Sequence, residues 1–434
     1  MVPNGETRPD RVDAGPLQLG VALQGGGSHG AFGWGVLHEL LECPDVSIAA
    51  LSGTSAGAVN AAVLADGWVG RPEAPAEGAQ AALARFWTLN ATTAQLMTGG
   101  LLRPGLGETL RGDPSLKTNP LYIAGDLLGR LFSQYECNID VNPLRELLQR
   151  WYRLDIARLR DPAAPILFLC ATNVATGEAL VFDNDSLSLN AILASACLPT
   201  LTRAVEVKGQ PCWDGGYSAN PAIWPLMHHT SVDDVLVVQI NPVDVDEPPQ
   251  TARDIVNRIN EITFNSSLIA QMRSIERVND LYVVIDAICD GLNEIDPATR
   301  EAVLTRLTAR MRAYDDARRA TRRLSGRAHH WRVPRALMDA LGKVPEPERL
   351  DTRQFEEHPL RPVALHIVHG DDALDPFDAS SKYNATPESL GRLFQAGRSK
   401  ARDWITRTLP AIRANQAARC PVSTFAPEAG LSGR

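Results

Sequence analysis

The sequence predicts an α/β fold whose largely parallel central sheet is covered by helices on both faces. Short runs rich in Val, Ile and Leu, such as Ile166 to Ala171 and Val235 to Ile240, have the length and composition of buried strands. Asn241-Pro242 ends the second run cleanly. Near the start of the chain, predicted strands alternate with helical patterns, as is typical of parallel sheets buried on both faces.

The first predicted strand, Leu17 to Leu23, runs into a glycine-rich loop, which is followed by the helical pattern Ala31 to Glu42. The loop consists of Gly25, Gly26, Gly27, Ser28, His29 and Gly30. Successive glycines let backbone amides point at an anion, such as the oxyanion of an acyl-transfer intermediate. The spacing also matches the dinucleotide-binding fingerprint. That fingerprint requires an acidic residue at the end of the second strand, whereas this strand ends at Leu51-Ser52-Gly53.

The second predicted strand, Ile48 to Leu51, leads into the pentapeptide Gly53-Thr54-Ser55-Ala56-Gly57, and the helical pattern Ala56 to Ala65 follows. G-x-S-x-G between a strand and a helix indicates a nucleophile elbow that exposes the serine. Gly53 and Gly57 leave room for a strained backbone at Ser55. The alternative is a tight loop that happens to contain a serine.

A third motif, Asp214-Gly215-Gly216, follows a predicted hairpin with its turn at Lys208-Gly209. Taken alone, Asp-Gly-Gly is typical of an ordinary turn.

In this order, the three motifs resemble those of the patatin-like phospholipase family, with the likeness extending over roughly residues 17–245. Ala194 to Pro199 and Asn220-Pro221 are similar to segments that flank the family's Asp motif. The resemblance implies a three-layer α/β/α patatin-like fold with a largely parallel sheet and additional C-terminal helices. It also implies a catalytic dyad of Ser55 and Asp214, in which the serine attacks an ester carbonyl and the aspartate accepts its proton.

In this interpretation the amides from Gly25 to Ser28 hold the oxyanion, and Gly215 and Gly216 shape the turn after the aspartate. An aspartate with an ordinary pKa near 3.9 is a weak base for a serine hydroxyl. The dyad would therefore depend on geometry and on oxyanion stabilisation.

His29 departs from the family pattern, which usually has Arg or Lys at this position. Histidine is a cation only when protonated, and its ordinary pKa is near 6.5. We predict that the loop tolerates His29 through hydrogen bonding. A histidine that simply packs under the loop is the alternative.

A Ser-Asp-His α/β-hydrolase is a rival interpretation, with His366 or His369 as the base near the predicted strand Val363 to Val368. That fold places its nucleophile after several strands, whereas Ser55 follows about the second. A thioesterase or a polyester (hydroxyalkanoate) depolymerase could use the same dyad. A non-catalytic lipid-binding module would need neither Ser55 nor Asp214.

Composition limits the partners and the compartment. The net charge of −8 argues against nucleic acid and against purely electrostatic docking on anionic lipid. Seven cysteines without CxxC spacing favour reduced thiols and argue against a zinc site, so we expect no metal and no cofactor. Met1 to Pro16 lacks the apolar core of a signal peptide, and no apolar run approaches a membrane span. We expect a cytoplasmic enzyme that acts on a lipid or acyl ester.

The predicted organisation is a disordered tail over 1–16, a catalytic domain over 17–245, a mainly helical extension over 246–420 and a disordered tail over 421–434. Long helices are expected over Thr251 to Ile275 and Pro387 to Leu409. Residues 90–140 mix apolar side chains with glycines, so they form either a mobile lid or a packed helical insertion. Peripheral membrane contact is a further hypothesis, based on this stretch and on the arginine-dense segment 300–335.

Overall fold

The computed structural model describes residues 15–131, 134–136, 142–245, 248–303, 305–306, 309–310, 362–370 and 373–416. Its strands are β1 Leu17–Leu23, β2 Val46–Thr54, β3 Ile166–Asn173, β4 Ala179–Asp183, β5 Val205–Val207, β6 Gln210–Asp214, β7 Asp234–Gln239 and β8 Ala364–His369. Its main helices are α1 Gly30–Glu42, α2 Ala56–Gly70, α3 Pro75–Thr98, α4 Leu106–Arg111, α5 Pro120–Leu131, α6 Pro143–Glu146, α7 Ile156–Leu159, α8 Leu189–Ser195, α9 Trp224–His229, α10 Ala252–Glu294, α11 Pro387–Arg407 and α12 Leu409–Gln416. Short 3₁₀ turns lie at Gly27–His29, Gly215–Tyr217 and Ala379–Tyr383, and a π-helical turn lies at Leu147–Tyr152.

The strands form one mixed sheet in the order β5-β6-β3-β2-β1-β7-β8, with β4 also paired to β3. The pairs β3-β2, β2-β1, β1-β7 and β7-β8 are parallel, and the pairs that involve β4, β5 and β6 are antiparallel. The predicted largely parallel sheet is therefore confirmed, and its antiparallel part is confined to the β3 side.

Helices cover both faces of this sheet. Neighbouring residues of a strand point to opposite faces, and in the structure they belong to separate apolar clusters. Leu236 and Val238 pack on the side of α1, α2, α3, α8 and α11, whereas Val235 and Val237 pack with α9 and α10. The predicted three-layer α/β/α architecture is thus confirmed.

Strands β2 and β6 meet end to end along one edge of β3. Strand β2 pairs with β3 as far as Thr54 opposite Cys170, and β6 pairs with β3 from Asp214 opposite Ala171. Strand β4 overlaps both pairings, so it must occupy the other edge of β3. Because β6 runs antiparallel to β3, the carboxyl ends of β2 and β6 face each other, and the residue after Thr54 lies beside Asp214.

The C-terminal region belongs to the same layered core. Strand β8 extends the sheet beyond β7, and α11 crosses α1 so closely that a Cβ at Gly397 would lie 2.0 Å from the carbonyl oxygen of Phe32. Arg398 and Arg402 both donate hydrogen bonds to the Glu39 carboxylate. The extension predicted over 246–420 therefore contributes a sheet strand as well as helices.

Most predicted elements lie close to their observed bounds. The hairpin turn at Lys208 and Gly209 is confirmed, with positive φ angles of 52° and 78°. The first long C-terminal helix runs 43 residues, well past the predicted end at Ile275. Both predicted tails, apart from residues 15 and 16, and the arginine-dense segment beyond residue 310 lie outside the described residues.

Candidate active site

Ser55 lies on a strained turn between β2 and α2. Its φ of 55° is positive, which is uncommon for a residue with a Cβ. The backbone N–H of Ser55 donates to Ser195 Oγ at 3.0 Å, and the Ser195 hydroxyl donates in turn to the Cys170 carbonyl at 2.6 Å. Neighbouring structure therefore holds the turn from the adjacent strand β3 and from α8.

The two glycines of the pentapeptide are required by close backbone approach. A Cβ at Gly57 would lie 2.2 Å from the Leu23 carbonyl oxygen, and one at Gly53 would lie 2.5 Å from the Gly57 carbonyl oxygen. Real Cβ atoms do not tolerate such contacts, because backbone atoms cannot move aside cheaply. The G-x-S-x-G pattern is thus needed to pack the elbow against β1.

Asp214 lies beside Ser55 at the meeting point of β2 and β6 and is fully buried. Its Oδ1 accepts a hydrogen bond from the Gly216 N–H at 2.8 Å. Within the described residues Oδ2 has no hydrogen-bond partner. The Ser55 hydroxyl is close enough to favour the ionised carboxylate, although no hydrogen bond of standard geometry joins the pair. Such contacts often tighten only when substrate binds.

Burial changes the basicity of Asp214. Loss of solvation raises the pKa of its carboxyl to about 7, against smaller opposing effects from the Gly216 amide and the Ser55 hydroxyl. The sequence-based expectation of a weak base with a pKa near 3.9 is therefore wrong, because it takes no account of burial. A carboxylate with a pKa near neutrality is well matched to proton transfer at physiological pH.

Glycine is also needed at the two positions that follow Asp214 in the sequence. A Cβ at Gly216 would lie 2.0 Å from the ring of Phe264, and one at Gly215 would lie 2.2 Å from the Cys170 carbonyl oxygen. The Asp-Gly-Gly turn is therefore pressed between β3 and α10.

The glycine loop lies directly against the elbow. A Cβ at Gly25 would lie 2.6 Å from Ser55 Cβ, so only glycine allows this approach. The Gly25 N–H donates to Asn220 Oδ1 at 2.7 Å and is therefore already occupied. Within the described residues, the backbone N–H groups of Gly26, Gly27 and Ser28 donate no hydrogen bond. These three amides, and not that of Gly25, are the ones left for an anion.

Residues 21–227 match the family model of patatin-like phospholipases. This chain carries a patatin-like phospholipase domain. No curated protein matched the sequence. The chain is also similar to VipD from Legionella pneumophila, whose crystal structure shares 14% identity over 89% of this chain and 67% of that chain, with a TM-score of 0.32. At that TM-score the two chains share too little geometry for residue roles to be carried across.

Two helix N-termini converge on the patatin-like site. Helix α1 begins at Gly30 and α2 at Ala56, and a Cβ at Gly30 would lie only 2.6 Å from the Cβ of Ala56. Each N-terminus carries a partial positive charge from its unpaired amides. Their joint field favours negative charge next to Ser55.

His29 is buried beneath the glycine loop and is neutral. Its Nε2 is 2.8 Å from Ser381 Oγ, and its ring packs edge-on against Phe377. Burial, reinforced by the positive charge of Lys382, lowers the pKa of His29 to about 3. The predicted hydrogen bond is present, and the histidine also packs under the loop, so both interpretations of this position hold.

The structure does not bring the two candidate triad histidines to Ser55. His366 and His369 lie on β8, three strand positions from β2, which corresponds to about 14 Å across a sheet. His366 is buried with its Nε2 2.9 Å from Asp234 Oδ1, far from Asp214 in the sheet order. The Ser-Asp-His interpretation is therefore not supported by the topology.

Several residues that support the candidate site were not among the site residues predicted from the sequence. They are Ser195, Asn220, Asn241, Phe264 and Lys382, and each contacts the site from a distant part of the chain. Isolated Ser, Asn and Lys residues carry no spacing signal. Ser195 and Asn220 do lie in the two segments that resemble those flanking the family's Asp motif, which is a signal that could have identified them.

Among the described residues there is no cluster of three or more His, Cys, Asp or Glu side chains suited to a metal ion. None of the helices in the same part of the chain has the length and apolar character needed to cross a bilayer. Cys43, Cys170, Cys197 and Cys212 are free thiols.

Proposed function

We propose that this protein hydrolyses carboxylic esters of lipids through a Ser55-Asp214 dyad. The observation that carries the proposal is the buried Asp214 carboxylate with an unpartnered Oδ2 beside a strained serine elbow. In the first step Asp214 takes the hydroxyl proton while Ser55 Oγ bonds to the acyl carbon. The carbonyl electrons move to oxygen, which the amides of Gly26, Gly27 and Ser28 stabilise.

Collapse of that intermediate expels the alcohol, which leaves with the proton held by Asp214. The acyl group remains on Ser55 as an ester. Asp214 then accepts a proton from water as the water attacks this ester. When the second intermediate collapses, the bond from the acyl carbon to Ser55 Oγ breaks, Oγ takes the proton back from Asp214, and the carboxylic acid is released. The raised pKa of Asp214 supports both steps, because the group must gain and lose a proton near neutral pH.

The direct test compares wild type with Ser55→Ala and Asp214→Asn on a medium-chain p-nitrophenyl ester and on a phospholipid panel. A fluorophosphonate, which forms a covalent bond only with an activated serine, gives a second readout. We expect turnover and labelling in wild type and a loss of at least about 10³-fold in both variants. Full activity in folded Asp214→Asn would reject the dyad, and a folded but silent wild type would favour a non-catalytic module.

A thioesterase or a polyester depolymerase would use the same dyad, and matched thioester and hydroxyalkanoate oligomer substrates distinguish these activities from lipid ester hydrolysis. A lipid substrate is supported by the exposed apolar side chains around the site. Leu106 and Leu110 of α4 are each 80% exposed, and several residues of α5 are also exposed. This insertion lies near the glycine loop, because the Leu116 amide donates to Ser380 in the 3₁₀ turn beneath it. Large exposed apolar patches are typical of surfaces that meet lipid or protein.

We therefore propose that α4 and α5 contact the lipid surface. Both interpretations of residues 90–140, a mobile lid and a packed helical insertion, stay predictions. Replacing Leu106 and Leu110 together by Ser removes apolar surface without touching the core. We expect activity on phosphatidylcholine vesicles to fall about 3- to 10-fold, with unchanged activity on a soluble ester. If the variant retains wild-type activity on the vesicles as well as on the soluble ester, the proposed contact is rejected.

A further inference from the structure

A lysine from the C-terminal region reaches the glycine loop through one asparagine. Lys382 Nζ donates to Asn241 Oδ1 at 2.6 Å, and Asn241 Nδ2 donates to the Gly25 carbonyl at 3.0 Å. Lys382 also contacts the loop directly, since its carbonyl oxygen lies 2.7 Å from the position of a Cβ on Gly27. Both Lys382 and Asn241 lie outside the residues that match the family model.

The two hydrogen bonds fix the orientation of the Asn241 amide. The Gly25 carbonyl can only accept a hydrogen bond, so the Asn241 atom that faces it must be the nitrogen, and the oxygen therefore faces Lys382. Lys382 thereby helps to set the amide plane of Asn241. Asn241 is held at its backbone as well, because its N–H donates to Gln24 Oε1 at 2.8 Å.

The Gly25 carbonyl belongs to the same peptide group as the Gly26 N–H. In a trans peptide these two groups point in opposite directions. A hydrogen bond that pulls on the carbonyl therefore fixes where the N–H points, and it also polarises that N–H as a donor. The Gly26 amide is one of the three left free for an anion beside Ser55.

Lys382 is the basic residue at this position. His29 cannot supply a positive charge, since it is neutral. Burial lowers the pKa of Lys382, while the carboxylates of Glu261 and Asp378 favour its charged form. Through Asn241, the glycine loop thus contacts a basic side chain that is more than 350 positions away in the sequence.

We infer that Lys382 is a positioning residue for the acyl transfer, acting through Asn241 to aim and polarise the Gly26 amide at the oxyanion. The inference rests on the proposed function. It differs from a simple anchoring role, in which Lys382 would only attach the 3₁₀ turn Ala379–Tyr383 to the domain. An anchor would change stability, whereas a positioning residue changes kcat.

Lys382→Met and Lys382→Arg test the inference, with Lys117→Met as the matched control. Lys117 is bound to Asp378 at 3.0 Å, and Asp378 caps the same turn, so Lys117 anchors the turn through a different residue. Removing one oxyanion donor typically costs about 10²- to 10³-fold in rate, and removing the residue that aims it should cost less. We expect kcat on a soluble ester to fall about 10- to 30-fold in Lys382→Met with KM within about twofold. We also expect most activity to return in Lys382→Arg, and Lys117→Met to match wild type.

Asn241→Asp provides an independent test, which can be used even if Lys382→Met does not fold. It keeps an ionic contact to Lys382, so the anchor remains, but it removes the donor to the Gly25 carbonyl. We expect a loss of kcat at least as large as in Lys382→Met, because the Gly25 carbonyl loses its donor and faces a carboxylate oxygen instead. Wild-type kcat in folded Asn241→Asp, or an equal loss in Lys117→Met, would overturn the inference.

Ser55→Ala measured in the same assay separates the two claims. Turnover that depends on Ser55 but not on Lys382 or Asn241 rejects the positioning role alone. A wild type without Ser55-dependent turnover or fluorophosphonate labelling rejects the proposed function, and the inference with it.

Discussion

The dyad and the glycine loop are supported by different parts of the chain. Ser55 follows β2 and Asp214 ends β6, and these strands meet on one edge of β3. The groups that hydrogen-bond to the two residues, Ser195 and Gly216, lie inside the family domain, and only the packing of Phe264 on Gly216 comes from beyond it. The loop has one support inside that domain, Asn220, but also depends on Asn241 and Lys382 beyond it. In the proposed mechanism, strand pairing therefore positions the nucleophile and its base, whereas long-range side-chain contacts orient the oxyanion donors.

The largest effect in the loop is expected from Gly27→Ala. Gly27 has a φ of +59°, and a Cβ there would lie 2.7 Å from the Lys382 carbonyl oxygen. The loop must shift to relieve this contact, which moves the free amides away from the oxyanion. We expect kcat to fall at least about 10²-fold, as measured with a soluble ester.

Gly177→Ala is the matched control for that variant. Gly177 has a φ of +72°, but no atom lies within 4 Å of the position that a Cβ would take, so it carries the backbone strain without the collision. It should lose about 1 kcal/mol of stability and keep wild-type kcat. If Gly27→Ala behaves in the same way, the loop does not depend on its contact with Lys382.

The residues around Ser55 and Asp214 could be predicted from the sequence to a greater extent than the supports of the glycine loop. Gly53, Gly57, Gly215 and Gly216 can be identified from the sequence because they belong to short motifs. The atoms that crowd three of these glycines nevertheless come from distant residues, namely Leu23, Cys170 and Phe264. Asp214 can be identified from its motif, but its pKa cannot, since burial depends on how α8, α10 and β3 close around it. Lys382 carries no local signal, because it approaches Gly27 only after β7, β8 and the turn before α11 are in place.

The second largest effect is expected in the pH dependence of the dyad. Asp214 must be ionised to act as a base, and its pKa of about 7 means that it is mostly protonated below neutrality. The value of kcat/KM should therefore rise with pH and level off above about 7. Between pH 8 and pH 5 we expect a loss of about 100-fold. A profile that is flat down to pH 5 would show that the carboxyl is not the base.

The stability of Asp214→Asn is expected to change in the opposite direction to its activity. The folded-state pKa of Asp214 lies above the unfolded value, so the folded protein binds this proton more tightly. The resulting stability is present at low pH and is lost as pH rises from about 4 to about 7, by up to about 4 kcal/mol. A neutral side chain avoids that loss, so the inactive variant should have the higher Tm at pH 8.

At pH 4 the advantage of Asp214→Asn should disappear, because Asp214 is then neutral in the folded wild type. Tm measured at both pH values, with Ser55→Ala as an inactive control that keeps the carboxylate, isolates the contribution of this one group. A Tm difference that is the same at pH 4 and pH 8 would mean that the ionisation of Asp214 does not govern it.

The smallest effect is expected from His29→Gln. This substitution tests whether a residue of the glycine loop itself affects catalysis. His29 contributes a hydrogen bond to Ser381 but no charge, and glutamine is a neutral side chain that can make the same bond. We expect kcat within about threefold of wild type and an unchanged pH profile, since one neutral hydrogen bond contributes about 1 kcal/mol and is kept. A large loss of kcat with a shifted acidic limb would instead identify His29 as a titrating participant. A residue inside the family domain would then control the glycine loop. The proposed difference between the Ser55-Asp214 pair, held mainly by the family domain, and the loop, held from the C-terminal region, would not apply.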